Sequence, residues 1–496
     1  MFARSAPNRM TRLPHGFLPA LILAQLCWQG TPRAEEPLTI DLPEIGDPTA
    51  TSFTTLQEKQ LGEEFFRNLH RQLEISQDPE VTDYIQGLGQ SLAANSDKPD
   101  QPFHFFVVNS PAINAFAGPG GYIGVNSGLI LTSEAESELA SVLAHEIAHI
   151  TQRHLFQAFQ EASRMAIPTA AALLAAALIG SQSSQAGQAA LIAAQAASLQ
   201  HQINFTRDNE VEADRVGMQI LSKSSFDPRS MPTFFERMQQ STRFAGAQGI
   251  PEFLLTHPVT TSRISDTRDR AEKFTFRQYP DSMVYQLVRA KLRVQTSRNP
   301  QDAVGYFRVM GRQGIAEQQD VARYGLALAL SANLQPQEAQ EILQQLVPKY
   351  PDQPYFLHAL AAAQLEAKDQ AGALKTFDAA LRRFPDNRAL ILSDVRTLLT
   401  NRKSEEARKL LQQYSLHHSP TPDVYSLLAE TYSQLGQDAE SHRFVAEFYY
   451  ASGQTRAAIQ QLRLAKKIAG DNRYVAAVID ERLKELREEE EDRKRQ

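Results

Sequence analysis

A 34-residue spacing between small side chains constrains the fold of this 496-residue chain more than any other feature. The interval occurs in two registers: Ala327, Ala361, Val395 and Ala429, and separately Ala339, Ala373, Ala407 and Ser441. Two aromatic-Pro-Asp segments, 350–352 and 384–386, repeat with the same spacing. A small side chain at each crossing lets paired helices approach closely, so the spacing predicts stacked helix pairs. A generic helical bundle with periodic alanines is the alternative.

This period resembles that of tetratricopeptide repeats, whose units are helix–turn–helix pairs. Phe377 and Ala380 stand at positions that pack the second helix of such a pair. We therefore predict an α-solenoid over 281–480, followed by a charged helix over 481–496 that acts as a solvated cap. A solenoid of this kind offers a concave surface to extended segments of other proteins.

The pentapeptide His-Glu-Ile-Ala-His at 145–149 predicts a metal site. Two histidines four residues apart lie on the same face of a helix and can bind one zinc ion, and Glu146 then points toward a zinc-bound water. Ser133 and Glu136 predict a capping box at the start of this helix. A buried helix whose histidines only bond to backbone groups is the alternative.

A catalytic zinc site with an open position requires a third protein ligand besides His145 and His149. The segment 207–215 predicts a second helix with Glu210 and Asp214 one turn apart on one face. We assign Glu210 as the zinc-binding carboxylate and Asp214 as the acceptor for the N–H of a ligand histidine. A solvated charged face is the alternative. Glu212 is expected to point elsewhere.

The zinc motif, followed about sixty residues later by Glu-x-x-Ala-Asp, resembles the HtpX-like and CAAX-prenyl-protease-like zinc metallopeptidases. The segment 114–125 is similar to the strand that borders the cleft in that family, and a plain structural hairpin is the alternative. The fold class is therefore mainly α: a gluzincin-like peptidase domain with a small β-sheet over 35–280, then the solenoid. An exposed strand edge could pair with an extended peptide. His154 lacks the spacing of a ligand and is expected to be structural.

Thr256-His257-Pro258 and Arg263 resemble a His-Pro and an arginine that the same family often carries. His257 could stabilise the oxyanion of the tetrahedral intermediate, or occupy the open zinc position and hold the enzyme latent. A solvated loop histidine is the alternative. With one Zn²⁺ per chain, Glu146 is expected to act as the general base that activates the attacking water in a zinc metalloendopeptidase.

The N-terminal segment 1–34 predicts a secretory signal peptide. Its arginines precede the apolar run 17–27, and no acidic residue occurs before Glu35. Cleavage after Ala34 would remove the only cysteine, Cys27, so neither disulfides nor thiol catalysis are expected in the periplasm. An uncleaved membrane anchor is the alternative.

Charge excludes nucleic acid as a partner. The net charge is −6, it becomes more negative when the signal peptide leaves, and no basic patch with interleaved aromatic residues occurs. The segment 166–200 contains no charged side chain. It predicts a helical hairpin that covers the cleft or touches the outer membrane peripherally, and a buried structural hairpin is the alternative.

An exported zinc peptidase with tetratricopeptide repeats resembles bacterial periplasmic peptidases of outer-membrane quality control. That resemblance implies unfolded or misassembled outer-membrane proteins as substrates. It also implies contact between the repeats and the β-barrel assembly machinery. A repeat-based chaperone or adaptor with a latent, latched protease site is the alternative function.

Overall fold

The structure is a computed structural model that describes residues 55–158, 160, 206–245, 251–470 and 472–495. The predicted signal peptide, 1–34, and the uncharged segment, 166–200, lie outside the described residues. Within the described part of the chain, no helix combines the length and the hydrophobicity that crossing a membrane requires.

A small sheet follows two helices at the start of the described chain. The helices are α1 (Thr55–Gln72) and α2 (Pro79–Ala93), and the strands are β1 (His104–Val108), β2 (Ala115–Ala117) and β3 (Tyr122–Asn126). The strand order is β1-β3-β2. β1 runs parallel to β3, with His104 opposite Tyr122, and β2 runs antiparallel to β3, with Ala115 opposite Val125. Among the described strands, β2 is therefore an edge.

The remaining elements described in the peptidase part are helices. Its helices are α3 (Ser127–Thr132), α4 (Glu136–Thr151), α5 (154–158), α6 (206–223), α7 (Ser230–Ala245), α8 (Glu252–Thr256) and α9 (Thr261–Ala271). Leu139, Leu143 and Ile147 of α4 are completely buried in the same hydrophobic core as residues of the sheet and α7. The helix that carries the zinc motif therefore runs through the core.

The start of α4 differs from the sequence prediction. Its N-cap is Ala135, which offers no side chain to the helix, and the Ser133 hydroxyl donates instead to the Leu129 carbonyl at 2.9 Å. The Glu136 carboxylate accepts the Ser282 backbone N–H at 2.7 Å. The predicted capping box is wrong, because the Glu136 side chain instead bonds to the segment that precedes the repeats.

Two helices, α10 (Met283–Gln295) and α11 (Pro300–Met310), lead into a series of helix pairs. The first helices of these pairs are α12 (Ala316–Ala332), α14 (Pro354–Glu366), α16 (Arg388–Thr400), α18 (Pro422–Gln434) and α20 (Thr455–Ala469). The second helices are α13 (Pro336–Leu346), α15 (Gln370–Arg383), α17 (Ser404–His417), α19 (Asp438–Ala451) and α21 (Arg473–Arg495). The predicted fold class is confirmed. The charged residues from 481 onward continue α21 without a break.

The periodic small residues lie where the helices cross. Ala361 and Ala373 are completely buried in one cluster with Phe377, Ala380 and Leu390, which joins α14, α15 and α16. Larger side chains at the two alanines would push these helices apart.

The turn inside each pair repeats as well. Leu334, Lys368, Arg402 and Gly436 are spaced 34 residues apart, and all four adopt a positive φ between 58° and 69°. Only the last of them is glycine, the residue that adopts this left-handed conformation without a steric penalty.

The first helices of the repeats contact α2 of the peptidase part. Lys291 of α10 and His358 of α14 both lie next to the buried Glu80 carboxylate, at 2.5 Å and 3.0 Å. Arg388 of α16 pairs with Asp83 at 2.7 Å. Part of the repeat surface is therefore covered by the chain itself.

Candidate active site

Two buried helices position the predicted ligands. His145 and His149 lie one turn apart on α4, and Glu210 lies on α6. α6 approaches α4 closely at Gly217, where an added Cβ would come within 3.2 Å of the Ala144 carbonyl carbon and the His145 nitrogen. A glycine at this crossing therefore lets the carboxylate of α6 reach the histidines of α4.

The donor atoms of these residues converge on one point. The Nε2 atoms of His145 and His149 are 3.0 Å apart, and each lies 3.4 Å from a carboxylate oxygen of Glu210. Together with His257, one donor atom from each residue lies within 4.8 Å of every other. A tetrahedral zinc site with bonds of about 2.0–2.1 Å places its ligand atoms about 3.4 Å apart. The donor set therefore fits a zinc ion.

Glu146 lies beside this cluster and is completely buried. Neither of its carboxylate oxygens has a hydrogen-bond partner among the described residues. His257 Nε2 lies 3.4 Å from Oε1 of Glu146. A buried carboxylate without a partner is costly, so this group is suited to bind a water or a substrate proton.

Arg263 of α9 holds two carboxylates of the site. Its Nε and Nη2 lie 2.7 and 2.8 Å from the two oxygens of Asp214, and its Nη1 lies 2.7 Å from Glu210. Burial alone would raise the pKa of Asp214, but Arg263 and His145 together outweigh it and lower that pKa. Asp214 therefore stays ionised. Its Oδ1 lies 3.0 Å from Nδ1 of His145.

The two histidines of α4 have opposite shifts in pKa. Burial would lower the pKa of His145, but Asp214 and Glu210 outweigh it and raise the pKa to about 9. Burial lowers the pKa of His149 to about 3. Without a metal, the pair therefore carries one positive charge at neutral pH, on His145, and metal binding has to displace the additional proton.

His257 joins the cluster from the end of α8. Its Nδ1 lies 3.0 Å from Glu210 Oε1 and 3.3 Å from His145 Nε2. Phe253 stacks on its ring, and the Phe253 N–H donates to the Ile113 carbonyl at 3.0 Å. α8 therefore lies against the segment that leads into the edge strand β2.

The structure brings together every residue that the sequence analysis assigned to the site. It adds two contacts that the sequence analysis did not predict. His154 Nδ1 lies 2.9 Å from His149 Nδ1, and His154 Nε2 lies 3.4 Å from Glu212 Oε2. Helical spacing could not reveal them, because a turn at Arg153, a non-glycine residue with a φ of 61°, separates α4 from α5.

Known proteins share both parts of this chain. The profile of Peptidase family M48 matches residues 79–271, and a tetratricopeptide repeat profile matches 364–431. A putative beta-barrel assembly-enhancing protease of Vibrio cholerae is 35% identical over 474 residues, which are 95% of this chain and 97% of that protein. The chain belongs to the family of beta-barrel assembly-enhancing proteases. It is therefore a metallopeptidase of family M48.

Two further relatives agree with this membership. The beta-barrel assembly-enhancing protease of Escherichia coli is 33% identical over 451 residues, which are 90% of this chain and 91% of that protein. The mitochondrial metalloendopeptidase OMA1 of Schizosaccharomyces pombe is 32% identical over 186 residues, which are 37% of this chain and 51% of that protein. The range matched by the M48 profile contains all of the predicted site residues. The prediction of an enzyme is confirmed.

Proposed function

We propose that this M48 peptidase is a periplasmic zinc metalloendopeptidase that hydrolyses misfolded or stalled β-barrel precursors of the outer membrane. The observation that carries the proposal is the convergence of His145, His149 and Glu210 beside the buried Glu146. The names of the relatives support a role in β-barrel assembly. The basic and apolar pattern of 1–34 supports export.

Three chain residues would hold the zinc ion: His145, His149 and Glu210. Two imidazoles and one carboxylate are a donor set that hydrolytic zinc enzymes use. When bound, zinc polarises the peptide carbonyl and increases the acidity of water. Arg263 and Asp214 keep the donors aligned, since Arg263 contacts Glu210 and Asp214 contacts His145.

Glu146 acts as the general base in this proposal. It takes a proton from the attacking water and returns it to the leaving amine. Its buried carboxylate has no competing hydrogen-bond partner among the described residues, so both oxygens are available for these transfers.

The edge strand β2, Ala115–Ala117, is the proposed substrate contact. Only β3 pairs with it among the described strands, so its other side can pair with an extended peptide. Recognition through backbone groups requires an unfolded segment but no particular sequence. This requirement suits a peptidase that acts on misfolded proteins.

His257 is the proposed latch. Its Nδ1 lies within 3.3 Å of both His145 and Glu210, so it stands among the donors, where a fourth zinc ligand would be. α8 also contacts Ile113 next to the edge strand. A site held in this way is latent until the segment that carries His257 moves. This geometry also favours the second candidate function, a repeat-based chaperone or adaptor in which proteolysis is rare.

The repeats are proposed to bind the β-barrel assembly machinery or its substrates, at the periphery of the outer membrane. The contacts of Lys291, His358 and Arg388 with α2 cover part of their surface. Partners are therefore expected on the parts of the repeats that α2 does not contact.

The test compares cleavage of an unfolded model protein by wild type, Glu146→Gln, His257→Ala and the control Glu272→Gln, whose side chain is exposed at the end of α9. All proteins are compared at matched zinc content. Wild type and the control should cut, Glu146→Gln should bind zinc without cutting, and His257→Ala should cut faster.

Two results would contradict this proposal. Loss of zinc from Glu146→Gln would show that the residue supports the metal and is not the base. Failure of both wild type and His257→Ala to cut, with zinc bound, would favour the chaperone or adaptor function.

A further inference from the structure

A line of contacts leads from one proposed ligand toward the protein surface. His149 Nδ1 lies 2.9 Å from Nδ1 of His154, and the two rings meet edge to face at 77°. His154 Nε2 lies 3.4 Å from Oε2 of Glu212. The His154 side chain is 4% exposed and that of Glu212 is 41% exposed, so the imidazole is buried while the glutamate reaches solvent.

The chemistry of these groups assigns the protons along the line. An ionised carboxylate only accepts hydrogen bonds, so Glu212 requires the proton of His154 on Nε2. Nδ1 of a neutral His154 is then an acceptor, and the short distance to His149 requires a proton on His149 Nδ1. The Nε2 lone pair of His149 remains free, and this atom faces Glu210 and His145.

We infer that His154 and Glu212 are positioning residues that hold His149 in its metal-binding tautomer and orientation. This inference rests on the proposal that His149 binds the metal. The two proposed ligand histidines are then supported in different ways. The Nδ1 atom of His145 contacts the carboxylate of Asp214 directly at 3.0 Å, whereas the Nδ1 atom of His149 is linked to the carboxylate of Glu212 through a second imidazole. An outer carboxylate of this kind fixes a ligand ring and increases its basicity.

The contacts of Glu212 are compatible with this role. Its Oε1 pairs with Arg215 at 3.6 Å, which leaves Oε2 for His154. The distance from Glu212 to His154 is longer than that from His154 to His149, and Glu212 is more exposed. Because solvent screens the contact of Glu212, we expect Glu212 to contribute less to zinc affinity than His154 does.

The test measures zinc affinity of the full chain by competition with a chromogenic chelator, with circular dichroism as the check of folding. His154→Leu fills the space without an acceptor and should weaken zinc binding about 10- to 100-fold. His154→Gln offers an amide oxygen to His149 Nδ1 and should stay within about threefold of wild type. Glu212→Gln should lie between them, and Gln219→Ala, at an exposed position of the same helix, is the matched control.

A second measurement reports the hydrogen bond itself. Proton NMR spectra of the zinc-loaded chain with ¹⁵N-labelled histidine should show a slowly exchanging, hydrogen-bonded proton on His149 Nδ1 in wild type and in His154→Gln, and a faster exchanging one in His154→Leu. With zinc on Nε2 the proton stays on Nδ1 in every variant, so its exchange rate rather than its position reports the contact with residue 154.

The outcomes separate this inference from the proposed function. If His149→Ala loses zinc while His154→Leu binds it like wild type, the positioning role is wrong and the ligand assignment stands. If His149→Ala itself binds zinc like wild type, the ligand assignment fails. If His154→Gln binds zinc as weakly as a folded His154→Leu, the acceptor role is wrong and the ring only packs.

Discussion

Replacing Lys291 by methionine tests how the repeats are held against the peptidase part. Lys291 of α10 lies 2.5 Å from Glu80 and 2.6 Å from Asp78, and its side chain is 12% exposed. Glu80 is more deeply buried, with 5% of its side chain exposed. The methionine would leave this carboxylate inside the protein without its closest counter-ion.

The pKa of Glu80 sets the expected magnitude. Burial alone would raise it, but Lys291 and His358 outweigh burial and lower it from 4.5 to about 2. A difference of this size corresponds to about 3 kcal/mol. Because folding lowers the pKa, this stabilisation is present above pH 4.5 and is lost as the pH falls toward 2. His358 remains in the variant, so we expect Lys291→Met to cost about 2–3 kcal/mol at pH 7.

Hydrogen exchange of the full chain is the suitable assay, because it measures local opening without assuming a single unfolding transition. The amides of α2 and α14 in Lys291→Met should exchange about 30- to 150-fold faster at pH 7. Adding Glu80→Gln should restore much of the protection, since removing both partners of a buried pair costs less than removing one.

The control is Lys349→Met. Lys349 also pairs with a buried aspartate, Asp320, but its own side chain is 50% exposed. Removing this ion pair should lower the free energy of unfolding by no more than about 1 kcal/mol. Exchange in Lys291→Met within threefold of wild type would refute the reasoning. A double variant as unprotected as Lys291→Met alone would also refute it.

Three further substitutions test other parts of the repeats. Burial, followed by the nearby Asp378 and Glu406, raises the pKa of Asp394 from 3.8 to about 7. Because folding disfavours the ionised form, the free energy of unfolding of wild type should fall by up to about 4 kcal/mol as the pH rises from 4 to 7. In urea unfolding at pH 8, Asp394→Asn should therefore be more stable than wild type. Leu334→Gly relieves a positive φ of 60° at an exposed position, and its melting temperature should rise, with a gain of about 0.5–1 kcal/mol. Phe377→Ala removes a completely buried ring and should cost about 3–5 kcal/mol, visible as a lower urea midpoint.

The helix-based features were predictable because they depend on short distances along the chain. His145 and His149 face one point because any helix brings residues four apart onto one face. The 34-residue period predicted the repeats for a similar reason, since each helix pair contacts mainly its neighbours. Glu210 was assigned because it lies one turn from Asp214 on one face of a predicted helix and a catalytic zinc site needs a third ligand; the resemblance to known zinc peptidases agrees with this assignment.

Other features depend on how helices pack that are distant in sequence. Glu80 and Asp83 resemble the solvated charges of an ordinary helix. Only the repeats, more than 200 residues later, place Glu80 in a buried ion pair with Lys291 and pair the more exposed Asp83 with Arg388. The capping box failed for the same reason, because the backbone N–H of Ser282 binds the Glu136 carboxylate.

The sequence by itself determined the class of the fold, the family and three residues able to hold a metal, because these follow from spacing within helices and repeats and from the resemblance of their motifs to known ones. Only the tertiary structure decided the surroundings of those residues. It placed His257 among the donors, joined Arg263 to two carboxylates and brought His154 against His149. These contacts depend on where α5, α8 and α9 pack, and packing between separate helices follows from the whole core rather than from local spacing.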